Sequence, residues 1–408
     1  MNGRWRILIV VTRAPPRAPR LASSEAAGLP PRDAALLAAR LIRAGADVRV
    51  LDQDSERLVD RIVRREAHLW RADLVLLHAG GSFVADNPVP DLRPLRRVLS
   101  GWSWRAPVVA CGPLAVRYGA ELIERLPRLT GALLGDVHPS LVGAFRPGEV
   151  PGLLVRDGPA PPPAVAPGAG DAQAPVLPAW HVLPLDACAA RSPDGLHVVD
   201  VLRGGRSLEA TLAEVRHAVH RGAARRLAFV DRDLGADADA LRALAHAMFA
   251  AAPGLGWSCR VRADRLDRSV ALALVNGGCT QVLVTSPGER HAPALVPMDD
   301  PARPRLESAV EAARVLGLHA HVEHVVGRPG HTRAMLAAWQ RWFQDRRIGV
   351  HALVRVLHAG DRAEGQPRLA EAHARAGCWD NELRPRDVDH SVREVTARER
   401  LAAGTLGS

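Results

Sequence analysis

The segment HVVGRPGHTRAML, His324 to Leu336, has the residue types of a small anion-binding turn. An apolar strand ends at Val326. Gly327, Pro329 and Gly330 then make a tight turn, and Thr332 stands where the N-cap of the next helix belongs. The first backbone N–H groups of such a helix have no partner inside it and can receive a carboxylate or a phosphate. A plain strand-to-helix turn uses the same residues, so turn chemistry alone does not separate the two uses. Just upstream, His319, His321 and Glu323 alternate along one strand face, a spacing that metal ligands can use. Glu323 and His324 fall on opposite faces. A polar stripe of this kind more often packs or joins a hydrogen-bond network, and no metal ligand is assigned.

Other reactive types are sparse. Cys111, Cys188, Cys259, Cys279 and Cys378 are scattered, without C-x-x-C spacing, and their odd number argues against a disulfide framework. Small buried core residues are the simpler reading. All 54 basic side chains are arginine. The absence of lysine excludes Schiff-base chemistry, a pyridoxal phosphate lysine and a P-loop lysine. The net charge of +10 is spread along nearly every helix, with one tyrosine and five phenylalanines in the chain. Nucleic-acid binders cluster their charge and interleave aromatics, so a nucleic-acid partner is not expected. No run of about 18 apolar residues could span a membrane. The N-terminal MNGRWRILIVVTR reads as a first strand rather than a signal peptide, and a cytoplasmic protein is expected.

The elements that must position these residues alternate strand and helix throughout. RILIVVT is a continuous apolar run, as in a strand buried on both faces. A helix opens at Pro31 and closes at Gly45, and ADVRVLD returns as a strand. A helix from Ser55 as N-cap to Trp70, strand ADLVLLHAGG, a helix near 90–100, strand APVVACGP, a further helix and GALLGD follow. Five strands joined by helices predict a doubly wound parallel α/β sheet, Rossmann-like, with ligands beyond the carboxyl ends of its strands. Gly80, Gly81, Gly112 and Gly135 fall at those ends, where a missing side chain lets a ligand approach the backbone. The Pro/Ala/Gly-rich stretch after Asp157 reads as a linker. Six further strand–helix units predict a partial or full (β/α) TIM-like barrel. The expected organisation is 1–156, a linker over 157–178, the barrel over 179–365 and a polar tail over 366–408.

Several segments, in order, resemble a known family. Phe229, Asp231 and Asp233 look like an F-x-D-D element at a strand end, and Arg262 with Asp264 like an R-x-D element. Gly277, Gly278 and Cys279 match a small-Gly-Cys turn; Thr285, Ser286, Gly288 and Glu289 approximate the segment after the next strand. Gly327, Pro329, Gly330 and Thr332 match G-x-P-G-E-T, with His331 in place of the acid. In the first half, GLPPRDAALLAARLIRAGADVRVLD, VVACGPLAVRYGAEL and GALLGDVHPSLVGAF complete the series, with Asp136 in place of a glutamate. Over residues 5–365 the chain resembles the radical S-adenosylmethionine enzymes that carry an N-terminal cobalamin-binding domain.

That resemblance implies a cobalamin-binding-type first domain, with Gly80, Gly81, Ser82, Gly112, Pro113 and Gly135 along the cofactor's edge. In the barrel it implies S-adenosylmethionine near Gly327, Pro329, Gly330 and Thr332. It also implies a C-x-x-x-C-x-x-C loop after the first barrel strand, whose three thiolates hold a 4Fe–4S cluster. Here that loop reads VLRGGRS, Val201 to Ser207, without a cysteine. Arg203 and Arg206 flank the shortened turn and could face an anion. The expectation is a degenerate member without the cluster, acting as an accessory or scaffold that holds cobalamin, a small-molecule substrate or a catalytic radical enzyme. The rival is polar methyl transfer dependent on cobalamin or S-adenosylmethionine. No catalytic residue is assigned.

Overall fold

The computed structural model describes residues 4–13, 30–78, 92–143, 145, 148–164, 176–191, 196–199, 207–229, 234, 238–285, 302–326 and 333–354. They form two six-stranded sheets. The first contains β1 (Arg6–Val11), β2 (Asp47–Asp52), β3 (Leu74–His78), β4 (Val108–Cys111), β5 (Gly131–Leu133) and β6 (Leu153–Val155), in the order β2-β1-β3-β4-β5-β6. The first five run parallel, and β6 pairs antiparallel with β5. Helix α1 (Arg32–Arg43) covers one face; α2 (Asp60–Leu69), α3 (Arg93–Leu99) and α4 (Pro113–Arg125) cover the other. The order reverses between β1 and β3, the topological switch point of a doubly wound sheet.

Two expectations shift. Strand β6 was not anticipated; it closes the far edge with only three residues. Ser55 does not cap α2, whose N-cap is Val59. Instead Asp52 folds the chain back, accepting from the backbone N–H of Asp54 at 3.0 Å and of Ser55 at 3.3 Å, while Ser55 Oγ donates to Asp52 Oδ2 at 2.6 Å. A short aspartate side chain competes with the helix for these donors and delays its start.

Helix α5 (Leu185–Arg191) follows the Pro-rich stretch and stays with the first sheet: Cys188 Sγ donates to Ser55 Oγ at 3.3 Å. The second sheet contains β7 (Leu196–Val199), β8 (Arg226–Phe229), β9 (Gly256–Arg262), β10 (Cys279–Thr285), β11 (His319–Val326) and β12 (Gly349–Val354), all parallel, in chain order across the sheet. Helices α6 (Leu208–Gly222), α7 (Ala238–Ala251), α8 (Arg268–Asn276), α9 (Ala302–Val315) and α10 (Arg333–Asp345) connect or flank these strands. Ser207 caps α6 and Asp267 caps α8, each side chain accepting from a backbone N–H three residues on. Sequential parallel strands with helices on one face are the architecture of a (β/α) barrel wall.

The two sheets share one apolar core. A buried ion pair crosses between them: Arg32 at the start of α1 places Nε 2.5 Å and Nη2 2.9 Å from the carboxylate of Glu214 on α6. Glu214 is fully buried, so the bidentate geometry compensates the cost of taking its charge out of water. Among the described residues, no helix is long and apolar enough to cross a membrane.

Candidate functional site

The described residues singled out by the sequence fall mainly in two places, the carboxyl ends of the first sheet and the strands of the second. The first is built by β1, β3 and β4, which bring Thr12, His78 and Gly112 together. Thr12 donates its backbone N–H to His78 O at 3.0 Å, joining two strand ends. Gly112 has φ +84 and caps α4, and a Cβ there would lie 2.9 Å from His78 Nε2. The space left by this glycine is therefore filled by the His78 imidazole rather than kept for a ligand. Burial lowers the His78 pKa, with Asp33 opposing the shift, so the ring is held neutral. Pro113, at the first position of α4, brings no N–H to the rim.

Gly112, Pro113 and Gly135 are all half-exposed. Gly135 is followed by Asp136, whose carboxylate pairs with Arg40 of α1 at 2.7 Å. These three positions offer backbone rather than charged side chains at the strand ends. Gly80, Gly81 and Ser82 lie outside the described residues.

In the second sheet, the side chains alternate between two environments. Trp257, Cys259 and Val261 of β9, Val282 and Val284 of β10, and Ala320 and Val322 of β11 are buried against the helices. The opposite side forms rows across the parallel register. One row runs Ala228, Ser258, Gln281, His319. The next runs Arg260, Leu283, His321, and the uppermost Arg262, Thr285; in backbone register Gly349 follows His321, and Glu323 and His351 follow Thr285. Ser258, Arg260, Arg262, Gln281 and His321 are half-buried. At the rim Arg262 and Asp264 form a bidentate pair, Nε–Oδ1 2.9 Å and Nη2–Oδ2 2.6 Å, so the R-x-D residues hold each other.

The Gly277–Gly278–Cys279 turn has a packing role. A Cβ on Gly277 would come 2.4 Å from Ala245 O, so only glycine lets α8 end against α7. Gly278 adopts φ +84 and leads into β10. Phe229 packs edge-on against Trp257, centroids 5.3 Å apart, on the helix side. Arg203, Arg206, Asp231, Asp233, Ser286, Gly288, Glu289, Gly327, Pro329, Gly330, His331 and Thr332 lie outside the described residues. His319, His321 and Glu323 share the inner-face register positions, but among the described residues no three His, Cys, Asp or Glu side chains are grouped to hold a metal ion.

The described cysteines do not fit a three-thiolate cluster. Cys259 and Cys279 are buried on the helix side of the second sheet, away from its inner face. A hydrogen bond to Cys279, followed by burial, holds the Cys259 thiol protonated. Cys111 belongs to β4 of the first sheet, its thiol pushed up by burial, and Cys188 is bonded to Ser55. Cys378 lies outside the described residues.

Together the doubly wound sheet and the barrel-like second sheet define the class of architecture found in cobalamin-binding radical S-adenosylmethionine enzymes. No family model and no curated protein matches the chain, but solved structures do. The radical S-adenosylmethionine methyltransferase TsrM from Kitasatospora setae, with cobalamin and a 4Fe–4S cluster bound, superposes with a TM-score of 0.62 at 17% identity, over 86% of this chain and 72% of that one. The cobalamin-dependent S-adenosylmethionine radical enzyme OxsB, with aqua-cobalamin and S-adenosylmethionine bound, gives 0.56 at 11% identity, over 79% of this chain and 49% of its own. At these identities the likeness carries the fold.

Proposed function

We propose that this chain works without a 4Fe–4S cluster, as a non-radical accessory or scaffold protein on the frame of a cobalamin-dependent radical S-adenosylmethionine enzyme. One observation carries the reading: the connection from β7 to α6 contains no cysteine, and the described thiols sit in three separate buried places. Without three converging thiolates there is no electron source for reductive cleavage of S-adenosylmethionine. The half-exposed rim of the first sheet at Gly112, Pro113 and Gly135 is then the seat for cobalamin or for a catalytic partner enzyme. Cobalamin bound there would supply a corrin-held cobalt, and this chain's part is to support it on backbone. The test is an absorbance spectrum of the full chain, incubated anaerobically with iron, sulfide and hydroxocobalamin and then desalted. Retained corrin bands without a broad iron–sulfur shoulder are expected; the shoulder would refute the cluster-free reading.

The half-buried polar rows of the second sheet favour a second reading, a polar methyl transfer that needs no electron. Transfer of label from methyl-labelled S-adenosylmethionine to cobalamin or an added acceptor supports it. Failure of either cofactor to bind in calorimetry removes it.

A further inference from the structure

The outward side of helices α2 and α3 carries charge of one sign. On α2 the exposed positions are Arg61, Arg65, His68 and Leu69, spaced as one helix face, while Val63 and Ala67 are buried against the first sheet. On α3 they are Arg93, Arg96 and Arg97, over buried Leu95, Val98 and Leu99. The two faces adjoin: Arg64 Nη1 donates to the backbone oxygens of Arg97 at 3.0 Å and Val98 at 3.3 Å. Residues 100–105 extend the surface with Arg105, and Trp104 meets His68 edge-on at 4.8 Å. The acids of α2 are half-buried and engaged: Asp60 accepts from Gln53 Nε2 at 2.9 Å, and Glu66 pairs with Arg49 at 2.9 Å. Histidine aside, every exposed charged side chain on α2, α3 and residues 100–105 is therefore arginine. Arg61, Arg65, Arg96 and Arg97 pair with no carboxylate among the described residues.

Like charges three or four residues apart destabilise a helix, so stability does not account for this face. Nor does the chain's general use of arginine. The exposed charges of α9 are mixed, Arg305 with Glu307 and Glu311, and Glu307 meets Arg346 at 2.8 Å. We propose that the α2–α3 face docks an acidic surface segment of a partner protein. The guanidinium forks take its carboxylates, and Leu69, 59% exposed, supplies an apolar contact. A second copy of this chain does not fit, because each copy carries a net charge of +10. Nucleic acid fits less well. The Trp104 ring is already met by His68 and its Nε1 donates to Ala72 O at 2.8 Å, so it is no platform for a base, and a phosphate backbone makes no use of the leucine. The inference goes beyond the accessory reading: it uses the helix layer rather than the strand-end rim, and it gives the chemistry of the partner.

The test is fluorescence anisotropy on the full chain at about 0.15 M salt, with a labelled peptide of glutamate and leucine in one arm and a labelled DNA duplex in the other. Saturable binding of the peptide, tighter than that of the duplex, is expected. Arg61→Gln with Arg65→Gln, and Arg96→Gln with Arg97→Gln, should each weaken peptide binding about tenfold. The same charge loss at Arg305→Gln with Arg341→Gln, on α9 and α10, should leave it unchanged. Leu69→Ser, which removes no charge, should also weaken it. All these positions are exposed, so each variant should keep the urea midpoint of the parent chain. No saturation by the peptide, a duplex bound as tightly, or an equal loss in the α9–α10 variant overturns the proposal. Iron measured on the same sample decides the cluster-free reading separately, and the docking result stands or falls by itself.

Discussion

The first sheet buries both faces, with Ile7, Ile9 and Val11 of β1 toward α1 and Leu8 and Val10 toward α2 to α4. Among the described residues, the second sheet buries one. Its helix side holds Trp257, Cys259, Val261, Val282 and Val284, and its other side Ser258, Arg260, Gln281 and His321. A parallel sheet packed on both sides can meet a ligand only at its strand ends. A sheet packed on one side can meet it across the face. The contrast places the two candidate surfaces differently: a rim of backbone in the first unit, a wall of side chains in the second.

Substitutions should therefore cost much more on the helix side of the second sheet than on its inner face. Trp257 is fully buried and donates from Nε1 to Gly277 O at 2.7 Å. Trp257→Ala should lose about 3–5 kcal/mol in urea denaturation; a loss like that of a surface change would mean the two faces have been assigned the wrong way round. Glu214→Gln leaves Arg32 without its bidentate partner, and breaking such buried pairs costs about 3–5 kcal/mol. The lower end is expected, because Asp33 remains 3.9 Å from Arg32.

At the rim of the first sheet, Gly112→Ala combines a backbone region reserved for glycine with a clash against His78, and about 1–3 kcal/mol should be lost. On the inner face, Ser258→Ala should change stability by no more than about 0.5 kcal/mol. A cost comparable to Trp257→Ala would show that the inner face is core rather than binding surface.

The buried neutral His78 adds a pH dependence peculiar to the first sheet. Its folded pKa lies below the ordinary value of 6.5, so the unfolded chain takes up a proton first. The stability this contributes is present above that value and is lost as pH falls toward the folded pKa. Urea midpoints at pH 7 and pH 5 should fall less in His78→Gln than in the parent chain. An equal fall in both would assign the sensitivity to other groups.

The period of the apolar residues made most of this architecture readable. Continuous runs such as RILIVV mark strands buried on both faces, and GWSCRVR alternates because one side of β9 is buried against helices while the other is half-buried. Strand β6 was invisible because three residues carry no period. The start of α2 was misplaced because Ser55 fits an N-cap equally well, and only Asp52 claiming its hydroxyl and N–H decides otherwise. Gly112 was legible as special, but the reason is the imidazole of His78, thirty-odd residues away. The inner-face rows were hidden more deeply. Arg260 and Gln281 carry no motif, and they become neighbours of His321, which the sequence placed in a polar stripe, only once the register of β9, β10 and β11 is known.

The account turns on whether this frame holds a cluster. Iron and acid-labile sulfide should be quantified per chain after anaerobic reconstitution of the full protein and removal of unbound metal. Iron well below one per chain, with no low-temperature paramagnetic signal after reduction, is the predicted result. About four irons and four sulfides per chain would contradict it.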